Sequence, residues 1–241
     1  MKRMSTLLFG LCATITLNAQ IKFAPEAGCN LAFMRERSTG SGITQTMFSQ
    51  LTPGFKAGLA LDIKVTDHFY FQPAVFYVWH KIRFSRNVEM SMFGLPNEEY
   101  TRRVTIDYIR SPLYFMYKTG FDGMGRFFSG IGPYAGLAVG GYNRVRMPVA
   151  YYDANKPGMS TMWVSEESSL RLGNRTGKDQ MKDLDYGMAA TIGYESNVGL
   201  FFRAYYYYGL SNLAPSYQTG NTIRNWGTGF SIGVMLGKDA W

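Results

Sequence analysis

From Trp226 to Gly237 the chain alternates with a period of two. Trp226, Thr228, Phe230, Ile232, Val234 and Leu236 fall on one face, and Gly227, Gly229, Ser231, Gly233, Met235 and Gly237 on the other. A helix repeats its faces every 3.6 residues and cannot use that pattern. A strand points successive side chains to opposite sides and requires it. The rhythm recurs upstream. Leu200, Phe202, Ala204, Tyr206, Tyr208 and Leu210 alternate with Phe201, Arg203, Tyr205, Tyr207, Gly209 and Ser211, and Leu184, Tyr186, Met188 and Ala190 with Asp185, Gly187, Ala189 and Thr191. Traced through the chain, it predicts about eight strands, near 21–36, 54–66, 69–86, 101–118, 126–143, 183–195, 200–211 and 224–237. The composition agrees: 17 Tyr and 17 Phe favour strands, and 27 Gly without collagen spacing suit tight sheet positions and turns.

The connections carry a second signal. Those near 66–68, 119–125 and 196–199 are short; those at 37–53, 87–100, 143–182 and 212–223 are long. Short and long alternate in strict order, as in an up-and-down barrel with tight turns at one rim and long loops at the other. A β-sandwich has no reason to do so. The connection at 143–182 is too long for a loop inside a compact domain and suits an external one.

Which face points inward decides the solvent. One face carries large aliphatic and aromatic residues. The other carries Gly, Ala, Ser and the charged or polar Glu26, Asn30, Lys56, Asp62, Gln72, Arg110, Lys118, Asp185, Glu195 and Arg203. A soluble lipocalin-like barrel puts its bulky apolar face inside. A membrane barrel reverses this, because an unpaired charge facing lipid costs about 2–4 kcal/mol at mid-membrane. An eight-stranded barrel is just wide enough for side chains to fill. The parity therefore predicts an antiparallel up-and-down transmembrane β-barrel whose lumen holds a charge network of Arg110, Arg203, Glu26, Asp62, Asp185 and Glu195. Tyr77, Trp79, Tyr117, Tyr206, Tyr208 and Trp226 are candidates for the interfacial girdles. A general porin is not expected from so narrow a lumen.

The first residues read as export chemistry. Lys2 and Arg3 precede a short apolar run, Leu7 to Leu17, and Ala19 offers a small residue for cleavage. The expected organisation is a signal peptide over 1–19 and a barrel domain over 20–241, beginning at Gln20 and destined for the outer membrane of a Gram-negative cell. Cys29 is then the remaining cysteine, which excludes an internal disulfide framework and a cysteine-based metal site. The formal charge of +8 falls to +6 without Lys2 and Arg3. For an exported basic protein the anion at hand is a lipopolysaccharide phosphate, not nucleic acid. Arg102, Arg103, Arg144 and Arg146 sit where strands should leave the membrane and are candidates for contact with lipid phosphates.

Catalytic and metal chemistry finds little support. A barrel enzyme acting on outer-membrane lipid needs a histidine with a hydroxyl or carboxylate partner near a rim. His68 is expected in a short turn and His80 near the opposite rim, with Ser85 on the same strand. Two histidines a strand apart make a poor metal pair. Glu98-Glu99 and Glu166-Glu167 are acid pairs able to meet a divalent cation, but they read more simply as solvated loop charges. No cofactor is expected.

Five motifs in order resemble those of the PorT-like outer-membrane β-barrel family over most of the chain. Ala27-Gly28-Cys29-Asn30-Leu31 looks like the family's opening strand, and Pro53-Gly54-Phe55-Lys56-Ala57-Gly58 its second. Gln72-Pro73, Tyr108-Ile109-Arg110-Ser111-Pro112-Leu113 and Gly132-Pro133-Tyr134 resemble the family's later strands. Ala74 and Arg110 stand where the family often has Glu, so the lumen must be wired differently here. Trp241 is an aromatic terminus, but off the lipid-facing parity. The expected barrel is monomeric, and the resemblance implies an accessory component of a secretion or envelope apparatus. A surface protein acting through its loops and a lipid-modifying barrel enzyme stay open beside it.

Overall fold

The computed structural model describes residues 21–40, 43–120, 124–153, 158–178 and 180–237. The expected export signal at 1–19, Gly123 in a short turn and the terminal Trp241 lie outside them. Ten strands run in chain order: β1 (Ile21–Gly40), β2 (Ile43–Phe48), β3 (Thr52–Lys64), β4 (Phe69–Val88), β5 (Glu98–Lys118), β6 (Arg126–Tyr152), β7 (Met159–Ser169), β8 (Leu184–Glu195), β9 (Leu200–Gly209) and β10 (Asn221–Val234). Eight of them, β1, β3, β4, β5, β6, β8, β9 and β10, pair antiparallel around a ring. The ring closes where β10 returns to β1, in register from Glu26 opposite Gly233 to Ser38 opposite Asn221. Closure leaves no open edge in the wall of the ring.

The other two strands lie in connections expected to be loops. β2 folds back on the far end of β1, from Arg35 opposite Phe48 to Gly40 opposite Ile43. β7 folds back on the far end of β6, from Tyr142 opposite Ser169 to Tyr152 opposite Met159. The strands β4, β5 and β6 thus run past the ring and, with β7, build a sheet at the long-connection end. β7 is largely exposed on both faces, so it has no apolar alternation to betray it.

Exposure matches the parity read from the sequence. Phe69, Val75, Tyr77, Ile109, Phe115, Ile131, Ile192, Phe202 and Phe230 point outward and are exposed, whereas Glu26, Asp62, Arg110, Asp185 and Arg203 are buried inside. A protein in water does not present such a continuous apolar band; a bilayer accepts it. Of the tyrosine run, Tyr205 and Tyr207 are 6% and 1% exposed while Tyr206 and Tyr208 are 47% and 38%. Glycines make room for the inward rings. A Cβ on Gly227 would stand 2.3 Å from the Tyr207 hydroxyl, and one on Gly229 2.4 Å from that of Tyr205.

One irregularity redirects the wall. Between β5 and β6, Asp107 stands opposite Gly140 but Tyr108 stands opposite Ala138, leaving Val139 as an extra residue. Below this bulge the even positions of β6, among them Phe128, Tyr134 and Ala138, are buried; above it Tyr142 is exposed. A bulge inserts one unpaired residue and re-aims the side chains beyond it. Here it turns Arg144 and Arg146 outward, although their parity with Tyr134 would have placed them inside.

Candidate functional site

The ring interior is layered. At the short-turn end, Lys118 Nζ lies 2.6 Å from Asp62 and 3.0 Å from Glu195. Arg126 faces Glu195 at 3.1 Å and donates to the Tyr70 hydroxyl at 2.9 Å. Gln72 bridges layers, donating to Asp62 at 2.9 Å and accepting from Arg203 at 2.5 Å. In the middle, Glu26 receives Lys56 and Ser231, each at 2.5 Å. The Arg203 guanidinium lies 3.1 Å from Glu26, close in distance but not aligned as a hydrogen bond. Above it Asp185 accepts from Ser211, Tyr134 and Asn225 at 2.8, 3.1 and 3.2 Å. Arg110 sits 3.6 Å from Asp185 and 3.9 Å above the Tyr207 ring, an electrostatic contact without a hydrogen bond from Nη2.

The six lumen residues named from parity therefore gather inside, but not around Arg110. Glu26 and Glu195 are the hubs, and their main partners are Lys56, Lys118 and Arg126. Arg126 was missed because it opens its strand, where a charge reads as a turn residue. Its even parity with Phe128 was the available signal. Tyr205 donates to the Cys29 carbonyl at 3.1 Å.

The polar lumen is covered by an apolar layer. Ile82, Phe84, Val104 and Ile106 line the interior above Arg110's level and join one cluster with Leu170, Met181 and Leu213 from the connections. Backbone bonds from Lys182 to Leu213 and from Leu213 to Ile223, 2.8 and 2.9 Å, fix that cover. Beside Lys56, Arg110 and Tyr207 a cavity of about 20 Å³ is left, room for about one water. His80, expected near a rim, is fully buried in this lumen, within 3.4 Å of the Tyr207 hydroxyl. Ser85 faces the other way, toward Glu99, so the two cannot act together.

The outward face above the apolar band is different. Arg83 stands directly opposite Arg103, Arg103 opposite Arg144, and Arg144 opposite Glu167. Arg146 lies in the next row, opposite Thr101, and packs 4.3 Å from the Trp163 ring centre. Lys81 lies one row lower, its Nζ 4.0 Å from the Trp79 ring. Two grooves of about 430 Å³ each meet along Arg83, Arg103 and Arg144. Glu99 lies 3.7 Å from Arg83, and Glu167 accepts from Arg144. That hydrogen bond, reinforced by the carboxylate charge, raises the Arg144 pKa. Among the described residues Arg103 makes no ion pair.

Arg102 does not belong to this face. It lies at lumen-side parity, donates to Asn143 at 3.2 Å and sits 3.5 Å from Glu36, so an Arg102 contact with lipid phosphate is corrected. Arg83 and Lys81 stand on the outward face instead; both share the outward parity of Tyr77 and Trp79. Glu98 and Glu99 line the groove, and Glu167 is held by Arg144, so these acids answer arginines. Among the described residues no three His, Cys, Asp or Glu side chains gather as a metal site.

A family model for the outer membrane protein beta-barrel domain matches residues 18–214. Among curated proteins none matches the sequence. Similar solved structures include the outer membrane protein OprG from Pseudomonas aeruginosa, at 11% identity over 91% of this chain and 97% of that one, with a TM-score of 0.46. The attachment invasion locus protein Ail of Yersinia pestis, solved with the heparin analogue sucrose octasulfate, is 11% identical over 87% and 98%, with a TM-score of 0.29. The outer membrane protease OmpT from Escherichia coli is 11% identical over 91% and 97%, with a TM-score of 0.36.

Proposed function

Because the chain belongs to the outer membrane protein beta-barrel domain family and is an outer-membrane β-barrel, we propose that it works there as a closed, non-catalytic, monomeric barrel that acts through its long-connection end. The observation that carries this reading is the filled lumen. Ion pairs around Glu195 and Glu26 occupy its lower and middle parts, Asp185 and the tyrosines lie above them, and an apolar cover closes its mouth. A solute would have to break several buried pairs to pass. The expected result in a planar bilayer is no steady conductance from the full chain. Open-channel currents of porin size would overturn the closed-barrel reading.

Catalysis is disfavoured by position. His80 is sealed in the lumen, and His68 sits at the short-turn end, its Nδ1 3.1 Å from the Lys118 carbonyl. The PorT-like motifs favour an accessory role in an envelope or secretion apparatus, with outer-membrane lipid around the wall and envelope proteins as partners at the rims. On this reading residues 1–19 are removed, Gln20 starts the mature chain, and the long connections face outside. Protease added to intact cells should then cut near Arg171 to Lys178 and spare Val65 to His68. Cleavage confined to the latter turn would mean an inverted barrel.

A further inference from the structure

We propose that the outward arginine face of β4, β5 and β6 binds the phosphates of the lipopolysaccharide headgroup in the outer leaflet. The proposal rests on the reading that the long-connection end faces outside, and it names the lipid partner of that end.

The arrangement of charge is the first argument. Adjacent strands lie about 4.8 Å apart, so Arg83, Arg103 and Arg144 form a row about 10 Å long. Like charges directly opposite one another destabilise a sheet. Glu99 and Glu167 relieve the two ends of the row, while Arg103 at its centre has no carboxylate among the described residues. Two guanidiniums on neighbouring strands can each present a planar fork to one phosphate. The row therefore suits a ligand with separated phosphates more than a single small anion.

Position is the second argument. Along β4 the outward residues from the short-turn end are Phe69, Phe71, Pro73, Val75, Tyr77 and Trp79, and then Lys81 and Arg83. The stretch from Phe69 to Trp79 matches the ~9–11 residues a tilted strand needs to cross the hydrocarbon. Lys81 and Arg83 thus begin where acyl chains end, on the same face that the acyl chains cover below. Trp79, with Lys81 folded on its ring, marks that boundary as an interfacial anchor. Leu51 and Tyr142 line the lower groove beside the arginines, offering apolar contact continuous with the band. A freely soluble polyanion would need only the charges; a phosphorylated glycolipid uses both the charges and the apolar surface beneath.

The test uses the full chain, folded in detergent, with native mass spectrometry against lipid A carrying two phosphates and lipid A carrying none. The bisphosphorylated lipid is expected to bind more tightly. Removing a charge-assisted contact should weaken it about tenfold or more per arginine, so Arg103→Ala with Arg144→Ala should nearly abolish the preference. Arg103→Lys should fall between, because it keeps the charge and loses the fork. Equal binding of both lipids, or unchanged binding by the double variant, would overturn the proposal. So would displacement of lipid by a soluble sulfated polysaccharide that depends on the same arginines and is as tight as the lipid; that result would assign the face to a soluble partner. Heat-modifiable gel mobility, run on every variant, reports whether the barrel is intact, and protease on intact cells reports its orientation. A failure of either reading is thereby separated from a failure of the phosphate site.

Discussion

Glu26→Ala is expected to lower the temperature at which the folded barrel loses its heat-modifiable mobility, and by more than Arg110→Ala does. Glu26 is 4% exposed and faces two buried cations, Lys56 at 2.5 Å and Arg203 at 3.1 Å. Removing one partner of a buried pair typically costs about 3–5 kcal/mol, because the other charge stays buried without compensation. Here Lys56 loses its carboxylate and Arg203 keeps only the neutral Gln72. For a domain of this size that corresponds to a fall on the order of 10 °C or more. Glu26→Gln should be milder, since an amide can still accept from Ser231. Arg110→Ala should also cost less: it leaves Asp185 with three neutral donors, Ser211, Tyr134 and Asn225, and Arg110 makes its own contact at 3.6 Å. Arg175→Ala, on the exposed connection after β7, serves as control. If Glu26→Ala melts with the control, the lumen is wetter than described and its charges are hydrated rather than paired.

Inserting one alanine after Gly140 should have an effect of similar size by another route. It shifts the upper part of β6 by one residue against β5. A one-residue slip moves every later side chain of the strand to the opposite face. Tyr142, Arg144 and Arg146 would then point into the apolar interior beside Val104 and Ile106, and the guanidiniums would lose Glu167 and the Trp163 ring. Two unpaired buried charges cost several kcal/mol. The expected outcome is loss of the folded band on gels. Deleting Val139 is the contrast. Gly140 then follows Ala138 directly and still stands opposite Asp107, so Arg144 stays outward opposite Arg103, and both the folded band and bisphosphoryl lipid A binding should remain. An insertion after Gly140 that kept both would show that the register of upper β6 does not set the arginine face.

Much of this was legible in one dimension because a barrel wall is a local object. Alternation over Leu200–Gly209 already states which side of β9 meets lipid, since the strand places successive residues on opposite faces whatever it pairs with. Alternating connection lengths state the up-and-down order for the same reason. Parity also collected the lumen residues: once Glu26, Asp185 and Arg203 share a face, a closed ring of this size brings them within reach.

Partners and irregularities were not legible. Parity says that Glu26 and Arg110 both point inward, but not how far each sits along the axis. The register, Glu26 opposite Gly58 on one side and Gly233 on the other, decides that Glu26 meets Lys56 and that Arg110 falls to Asp185. The β2 and β7 hairpins were hidden because strands wetted on both faces need no apolar period. The arginine face depended on the bulge. Nothing in Leu137-Ala138-Val139-Gly140 marks Val139 as the unpaired residue, since the mismatch exists only between two strands whose registers are already fixed by other neighbours. The sequence by itself determined a membrane barrel with charged lumen and basic outer positions. The tertiary structure decided which charges are paired, which are stacked on rings, and which arginines stand in a row toward the lipid, because those are relations of axial height between strands and not properties of any one strand.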